Sequence, residues 1–344
     1  MKAIGILMFD RKMPGQWIDD FAKFAAEHHA MKMYSFSVMD MKKTPEKVNG
    51  YYFRPDKNIW EKGPFFLPPA LYLTGNGRSP YPVISKLNNC PALLNPPLPD
   101  RLTMYNILKT NRHIAPYLLI SEPVHNNKKQ FLPSTGSILF IPAYAPLLKG
   151  LFFATKEKVS SVTITTIKKE KLLQKNVPYG KFRDWLERIT MQEPYLSCHI
   201  DINPVDEFPA LLRSLWQKNS EAQWIERATT IVEHTTSTEM HVLPFPKWLE
   251  TKPVQLQAHI QNEWNELMPL LLKVIDTIFS PVFELEFTFL ITQKGAIWIV
   301  DISAQPDVPF YFREHAEIKN QYLSSVISQC LTLLNLKGEG YHDG

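Results

Sequence analysis

At 344 residues, with 44% hydrophobic and 12% aromatic side chains against 21% charged, the chain is long enough for two or three packed subdomains with a sizeable interior. Those fractions exclude a disordered or fibrous chain. The formal charge of +4 is mild, and the Lys and Arg residues are scattered apart from short runs such as Lys168, Lys169 and Lys171, so nucleic acid is not an expected partner.

Residues 3–9 read as a buried strand, and Asp10, Arg11 and Lys12 break the apolar stretch too early for a secretory signal. A helix over 16–29 places Trp17, Phe21, Phe24 and His28 on one face, His28 and His29 being structural residues at its C-terminal end. Another strand follows at 32–38. The Pro- and Gly-rich stretch 51–99 reads as a linker or irregular crossover. Asp100 then caps a helix over 101–110 with Leu102, Tyr105 and Leu108 as its apolar stripe. Strands are expected at 137–140, 151–154 and 161–167, a short helix at 180–189, and strand-like segments at 195–202, 211–217 and 224–233. Leu256, Ile260, Trp264, Leu267, Leu271, Val274 and Ile278 recur at spacings of three and four, which predicts a long amphipathic helix over 255–279. A hairpin over 283–292 and 296–303 and a last helix over 318–334 complete an α+β pattern. Cys90, Cys198 and Cys330 lie far apart, which excludes a zinc knuckle or a redox pair and fits a reducing compartment. No segment approaches the roughly 18 unbroken apolar residues of a membrane span.

Four segments carry a family resemblance. In residues 283–306, Trp298, Asp301, Ser303 and Pro306 fall without a gap on the Trp, Glu, Asn and Pro of a terminal hairpin. Residues 138–152 match the frame of a nucleotide-binding hairpin, an apolar strand followed by Lys-Pro and a Gly-rich loop. There Ile141 stands at the Lys, Pro142 is kept, Ala145 and Pro146 replace Gly-Ser, Leu148 replaces the next Gly, and only Lys149 and Gly150 survive. Asn95 with residues 100–109 matches an Asn and Asp-Lys-Trp helix entry, Arg101 standing for Lys and Leu102 for Trp. Residues 211–219 match Asp-x-Arg-x-x-x-Gln-Lys, with Leu211 for Asp and Arg213 kept. These segments resemble the YheC/YheD ATP-grasp family of endospore coat-associated proteins.

The resemblance implies an ATP-grasp-like fold in two parts. An N-terminal α/β subdomain would occupy 1–99. An ATP-grasp-like region would occupy 100–340, divided into a nucleotide-hairpin-like subdomain at 135–202 and a C-terminal sheet with helices at 203–340. It also implies a degenerate member. A Gly-rich loop holds phosphate by letting bare backbone N–H groups approach it, and Pro146 removes one such group. An Ile at the Lys position removes a charge-assisted contact. Lys149, Arg101 and Arg213 would be vestiges of cofactor binding, and Glu286 and Asp301 vestiges of a metal pair that lacks its third ligand at Ser303.

The residues leave the role of the carboxylates open. With Gln293 and Lys294 at the hairpin tip, Glu286 would face Asp301, an unfavourable like-charge pair unless a cation lies between them or one is protonated. Lys or Arg neighbours would neutralise them, with residual Mg²⁺ as the alternative. Any of Lys149, Arg101 and Arg213 would serve as that counter-charge. His199, beside Cys198 in the region of the family's adenine hinge, reads as a buried His bonded to backbone. The expected function is a non-catalytic one in spore coat formation, through binding to other coat or mother-cell proteins, in the mother-cell cytoplasm or at the coat. No cofactor is expected. The alternative is a divergent carboxylate-amine ligase that uses ATP and magnesium.

Overall fold

The computed structural model describes residues 2–8, 13–40, 47–74, 92–124, 136–144, 150–158, 160–168, 171–202, 208–234, 240–279 and 281–338. The chain opens with β1 (Ala3–Met8), an apolar run buried between two parallel neighbours. It continues into α1 (Gln16–His29), which packs Ile18, Phe21, Ala22 and Ala25 inward and leaves His28 and His29 exposed in its last turn. Next come β2 (Lys32–Ser37), β3 (Lys47–Arg54), β4 (Ile59–Phe66), β5 (Ala70–Leu73) and β6 (Leu93–Leu94). They form one sheet in the order β4-β3-β2-β1-β5-β6.

The described residues of the stretch expected to be a linker therefore supply strands β4, β5 and β6 and the end of β3. Pro64 lies on the edge strand β4, where a missing N–H costs no ladder bond. Gly50 lies where a Cβ would come within 2.5 Å of the Ser35 carbonyl oxygen, so its small size serves close strand packing and not a turn. Residues 75–91, with most of the remaining Pro and Gly, lie outside the described residues.

Asp100 caps α2 (Arg101–Leu108) by accepting from the Thr103 N–H at 3.0 Å. Six strands then build a second sheet: β7 (Ser121–Pro123), β8 (Ser137–Pro142), β9 (Phe152–Lys158), β10 (Ser161–Lys168), β11 (Lys171–Pro178) and, after α3 (Tyr179–Gln192), β12 (Tyr195–Ile200). Their order is β11-β10-β9-β8-β12-β7. One face packs Ile138, Phe140, Phe152, Val162 and Ile164 against Phe182 and Leu186 of α3. The opposite face carries Leu139, Ile141, Leu196 and Cys198 into the large central cluster.

The third sheet has the order β15-β14-β13-β16-β17. Its strands are β13 (Ala210–Lys218), β14 (Trp224–His234), β15 (Met240–Pro244), β16 (Glu284–Ile291) and β17 (Ile297–Ser303), with α4 (Phe245–Glu250) and the 26-residue α5 (Val254–Phe279) between β15 and β16. Phe287, Phe289, Ile297 and Ile299 face Ile260, Trp264, Leu267 and Leu271 of α5. Burial of each such side chain is worth about 1.5–3 kcal/mol. Two C-terminal helices, α6 (Val308–Glu314) and α7 (Lys319–Gly338), return the chain to the first sheet, with Tyr322 and Val326 in the same cluster as Tyr72. Among the described residues no helix is long and apolar enough to cross a membrane.

The hairpin register differs from the expected one. Three residues, Gln293, Lys294 and Gly295, form the tip, with Gly295 at φ +85° and the Gly295 N–H donating to the Thr292 carbonyl at 2.9 Å. A bulge follows, in which Val300 is the extra residue between the pairs Phe289–Ile299 and Thr288–Asp301. Asp301 thus pairs with Thr288, and Glu286 pairs with Ser303. The two single-residue offsets restore the alternation, so Glu286 and Asp301 share a face but do not stand opposite each other.

Candidate functional site

The residues singled out in the sequence converge where the second and third sheets meet. Arg101 sits in the first turn of α2, only 5% exposed. Its Nη2 donates to Asp301 Oδ2 at 2.6 Å and its Nη1 donates to the Pro142 carbonyl at the end of β8. The other Asp301 oxygen accepts from the Ile302 N–H at 2.9 Å. Ile141 and Leu196 face Arg101 and Asp301 across a residual cavity of about 30 Å³.

Arg213 lies on β13 beside β16, also 5% exposed. Its Nη2 and Nε reach Glu286 Oε1 at 2.5 and 2.7 Å, and its Nη2 lies 3.5 Å from Asp307 Oδ2. The guanidinium carbon is 3.9 Å from the centre of the Phe310 ring, a cation–π contact. Glu286 Oε2 accepts from the Asp307 N–H at 2.8 Å. Burial works against the guanidinium charge, but Glu286, Tyr311 and Asp307 more than offset it, so Arg213 stays protonated. Burial pushes the Glu286 carboxyl up, and the contact with Arg213 holds it back. Two of the three cations expected to neutralise the carboxylates therefore do so, one each. Lys149, with Ala145, Pro146 and Leu148, lies outside the described residues.

Glu284, fully buried on the same face of β16, has a different set of partners. Tyr72 from β5 donates to its Oε1 at 2.5 Å, and Tyr322 from α7 donates to its Oε2 at 2.7 Å. Gln217 Nε2 approaches Oε2 at 3.2 Å. Asn95, in the left-handed region at φ 61°, accepts from the Phe283 and Glu284 N–H groups at 3.0 Å and donates to the Ala304 carbonyl at 2.7 Å. Burial pushes the Glu284 carboxyl up to about 7, against the pull of these donors. The alternation along β16 places Glu284 beside Glu286 from sequence alone, but nothing in the sequence marks Tyr72 and Tyr322 as its partners.

Ser303 does not reach toward Asp301; its hydroxyl closes a local turn with the Gln305 N–H and carbonyl, both at 3.1 Å. His199 is exposed, contrary to the expectation of a buried ring, because its position on β12 turns away from the central cluster. It lines a cavity of about 740 Å³ with Ile138, Ile202, Lys294 and Trp298, between the end of β12 and the hairpin tip. The neighbouring Cys198 is buried, 2.9 Å from the Ser121 hydroxyl, and burial pushes its thiol up to about 12. Among the described residues no group of three or more His, Cys, Asp or Glu side chains is placed to hold a metal ion.

The profile of the YheC/D like ATP-grasp family matches residues 91–333. The endospore coat-associated protein YheC of Bacillus subtilis (strain 168) is 20% identical over 352 residues, covering 97% of both chains. Among solved structures, D-alanyl-alanine synthetase A from Vibrio cholerae O1 biovar eltor superposes with a TM-score of 0.54 at 12% identity, over 97% of this chain and 99% of that one. N5-carboxyaminoimidazole synthetase from Staphylococcus aureus, complexed with ADP, superposes with a TM-score of 0.50 at 11% identity, over 91% and 73%. At such identities these two likenesses show the fold alone. With a profile match over most of its length, the chain belongs to the YheC/D-like ATP-grasp family.

Proposed function

We propose that this chain works without a nucleotide, as a member of its family that binds other proteins in endospore coat formation. The observation that carries this reading is the engagement of Arg101 and Arg213, the candidate remnants of an anion site, in internal ion pairs with Asp301 and Glu286. A guanidinium already matched by a buried carboxylate offers a phosphate little net attraction. Drawing it away would leave that carboxylate unpaired, at a cost of about 3–5 kcal/mol.

The cavity that Arg101, Ile141 and Asp301 line is only about 30 Å³, and the cavity of about 740 Å³ beside His199 is lined by neither Arg101 nor Arg213. The donor set does not fit magnesium, which requires an octahedron of oxygens: the Asp301 and Glu286 oxygens are taken by guanidinium and backbone N–H donors, and Ser303 is turned into its own loop. The coat context rests on the relative in B. subtilis, whose name describes an endospore coat-associated protein.

The test is a thermal-melt titration of the purified protein with ATP and Mg²⁺. Binding to the native state must appear as stabilisation, and at a ligand concentration of 100 Kd it would amount to about 2.7 kcal/mol. No rise in Tm is expected at millimolar nucleotide. A rise of several degrees overturns the reading in favour of an ATP- and magnesium-dependent carboxylate-amine ligase.

A further inference from the structure

The cavity of about 740 Å³ beside His199 is lined by none of the four ion-paired residues Arg101, Asp301, Arg213 and Glu286. Its walls follow from the alternation of two neighbouring strands. β12 turns Leu196 and Cys198 into the central cluster and Ser197 and His199 toward the cavity. Ser197 pairs with Glu122 of β7, so Glu122 shares that face, and Asp201 continues it past the end of β12. Lys294 at the hairpin tip and Trp298 on β17 supply the opposing wall. Leu118, Ile138 and Ile200 form a buried apolar floor.

A volume of this size, with an apolar floor and a few polar groups at its margin, has the form of a ligand pocket. Glu122, His199, Asp201 and Lys294 are all exposed, and among the described residues none of them is in an ion pair. Carboxylates outnumber the ammonium two to one at this rim, a balance that repels phosphate and attracts a cation. A metal ion is not that cation, since among the described residues no group of three or more His, Cys, Asp or Glu side chains is placed to hold one. Trp298, half-buried, offers the aromatic ring that a cation prefers. Arginine matches every part of this lining. Its aliphatic stem suits the floor, and its planar head both stacks on aromatic rings and takes carboxylates in bidentate fashion.

We propose that this cavity takes an arginine side chain, flanked by apolar residues, from a partner protein. The proposal rests on the protein-binding reading above and supplies its site and the chemistry of its partner. The stem would lie on Ile138 and Ile200, the guanidinium would meet Trp298, Asp201 and Glu122, and the flanking apolar residues would fill the remaining volume. An arginine seated in a desolvated pocket is the kind of anchor that carries a large share of an interface's binding energy. Lysine would bring the charge without the plane, and an acidic anchor would add to the excess of carboxylates.

The test is isothermal titration of the full chain with the peptide acetyl-Leu-Arg-Leu-amide and with its lysine and citrulline counterparts. Binding of the arginine peptide is expected, weaker by about tenfold or more for either replacement. Asp201→Asn and Glu122→Gln, both at exposed positions, should each weaken it severalfold, Lys294→Gln should strengthen it, and added salt should weaken it. Absence of binding at millimolar peptide, equal binding of the citrulline peptide, or indifference to both carboxylate variants would each overturn the proposal. Equal affinity for N-acetylarginine amide would overturn it in favour of a small guanidinium compound, and displacement of the peptide by ATP would give the cavity to a nucleotide. Failure of the peptide with no response to ATP leaves the non-catalytic reading standing on another surface; a response to ATP overturns that reading whatever the peptide does.

Discussion

Replacing Glu284 with Gln gives a test of the buried network that joins β5, β16 and α7. In the wild-type protein this carboxyl is fully buried and its pKa is raised from an ordinary 4.5 to about 7, chiefly by burial. A raised carboxyl favours the protonated folded state, so its stabilising contribution is complete below about pH 4.5 and is lost as the pH climbs through 7. At about 1.36 kcal/mol per pH unit, the loss across that window is roughly 3 kcal/mol. Glu284→Gln keeps the volume and an acceptor for Tyr72 and Tyr322 but cannot ionise. The assay is urea unfolding of both proteins, followed by tryptophan fluorescence at pH 5, 6, 7 and 8. The variant should gain on the wild type by roughly 2–3 kcal/mol between pH 5 and pH 8, with most of the gain below pH 7. Because every other titrating group is common to both proteins, parallel pH profiles, or a variant that gains toward low pH, would refute the reasoning.

Breaking the Arg213–Glu286 pair from either side strands a buried charge, so Glu286→Gln and Arg213→Met should each destabilise by about 3–5 kcal/mol, while the double variant should recover a large part of the loss in a double-mutant cycle. Gly295→Ala should cost about 1–2 kcal/mol, because φ is +85° and the new Cβ would lie 2.7 Å from Leu256 Cδ1; melting curves read this directly. Iodoacetamide at pH 8 should leave Cys198 and Cys330 unmodified in the native protein and label both in urea, as peptide mass spectrometry would show, since burial raises both thiols well above their ordinary value.

The elements that were legible in the sequence are those whose apolar spacing exceeds any local ambiguity. The long α5 helix and the β1-α1-β2 opening are examples, because their periods are set by one buried face or run. The β3 and β4 strands were hidden by Gly50, Pro64 and their neighbours, which serve close packing and an edge position and mimic breaks. The hairpin register depended on one inserted residue, Val300, and on a three-residue tip, neither of which alters the alternation that the sequence displays. At the candidate site, the ion-pair partners of Glu286 and Asp301 were foreseeable because acidic and basic residues at motif positions must compensate one another once buried. The Tyr72–Glu284–Tyr322 contact was not, since its members lie 38 to 250 residues apart and each reads as an ordinary core or surface residue.

Arg101 joins three elements at once: it starts α2, holds the carbonyl that ends β8, and grips β17 through Asp301. A crosspiece of this kind removes a degree of freedom, because the second and third sheets cannot separate without breaking a bond made within the protein itself. A single side chain thus makes the start of one helix, the end of one strand and the middle of another interdependent, so any shift of one of them is felt by the other two.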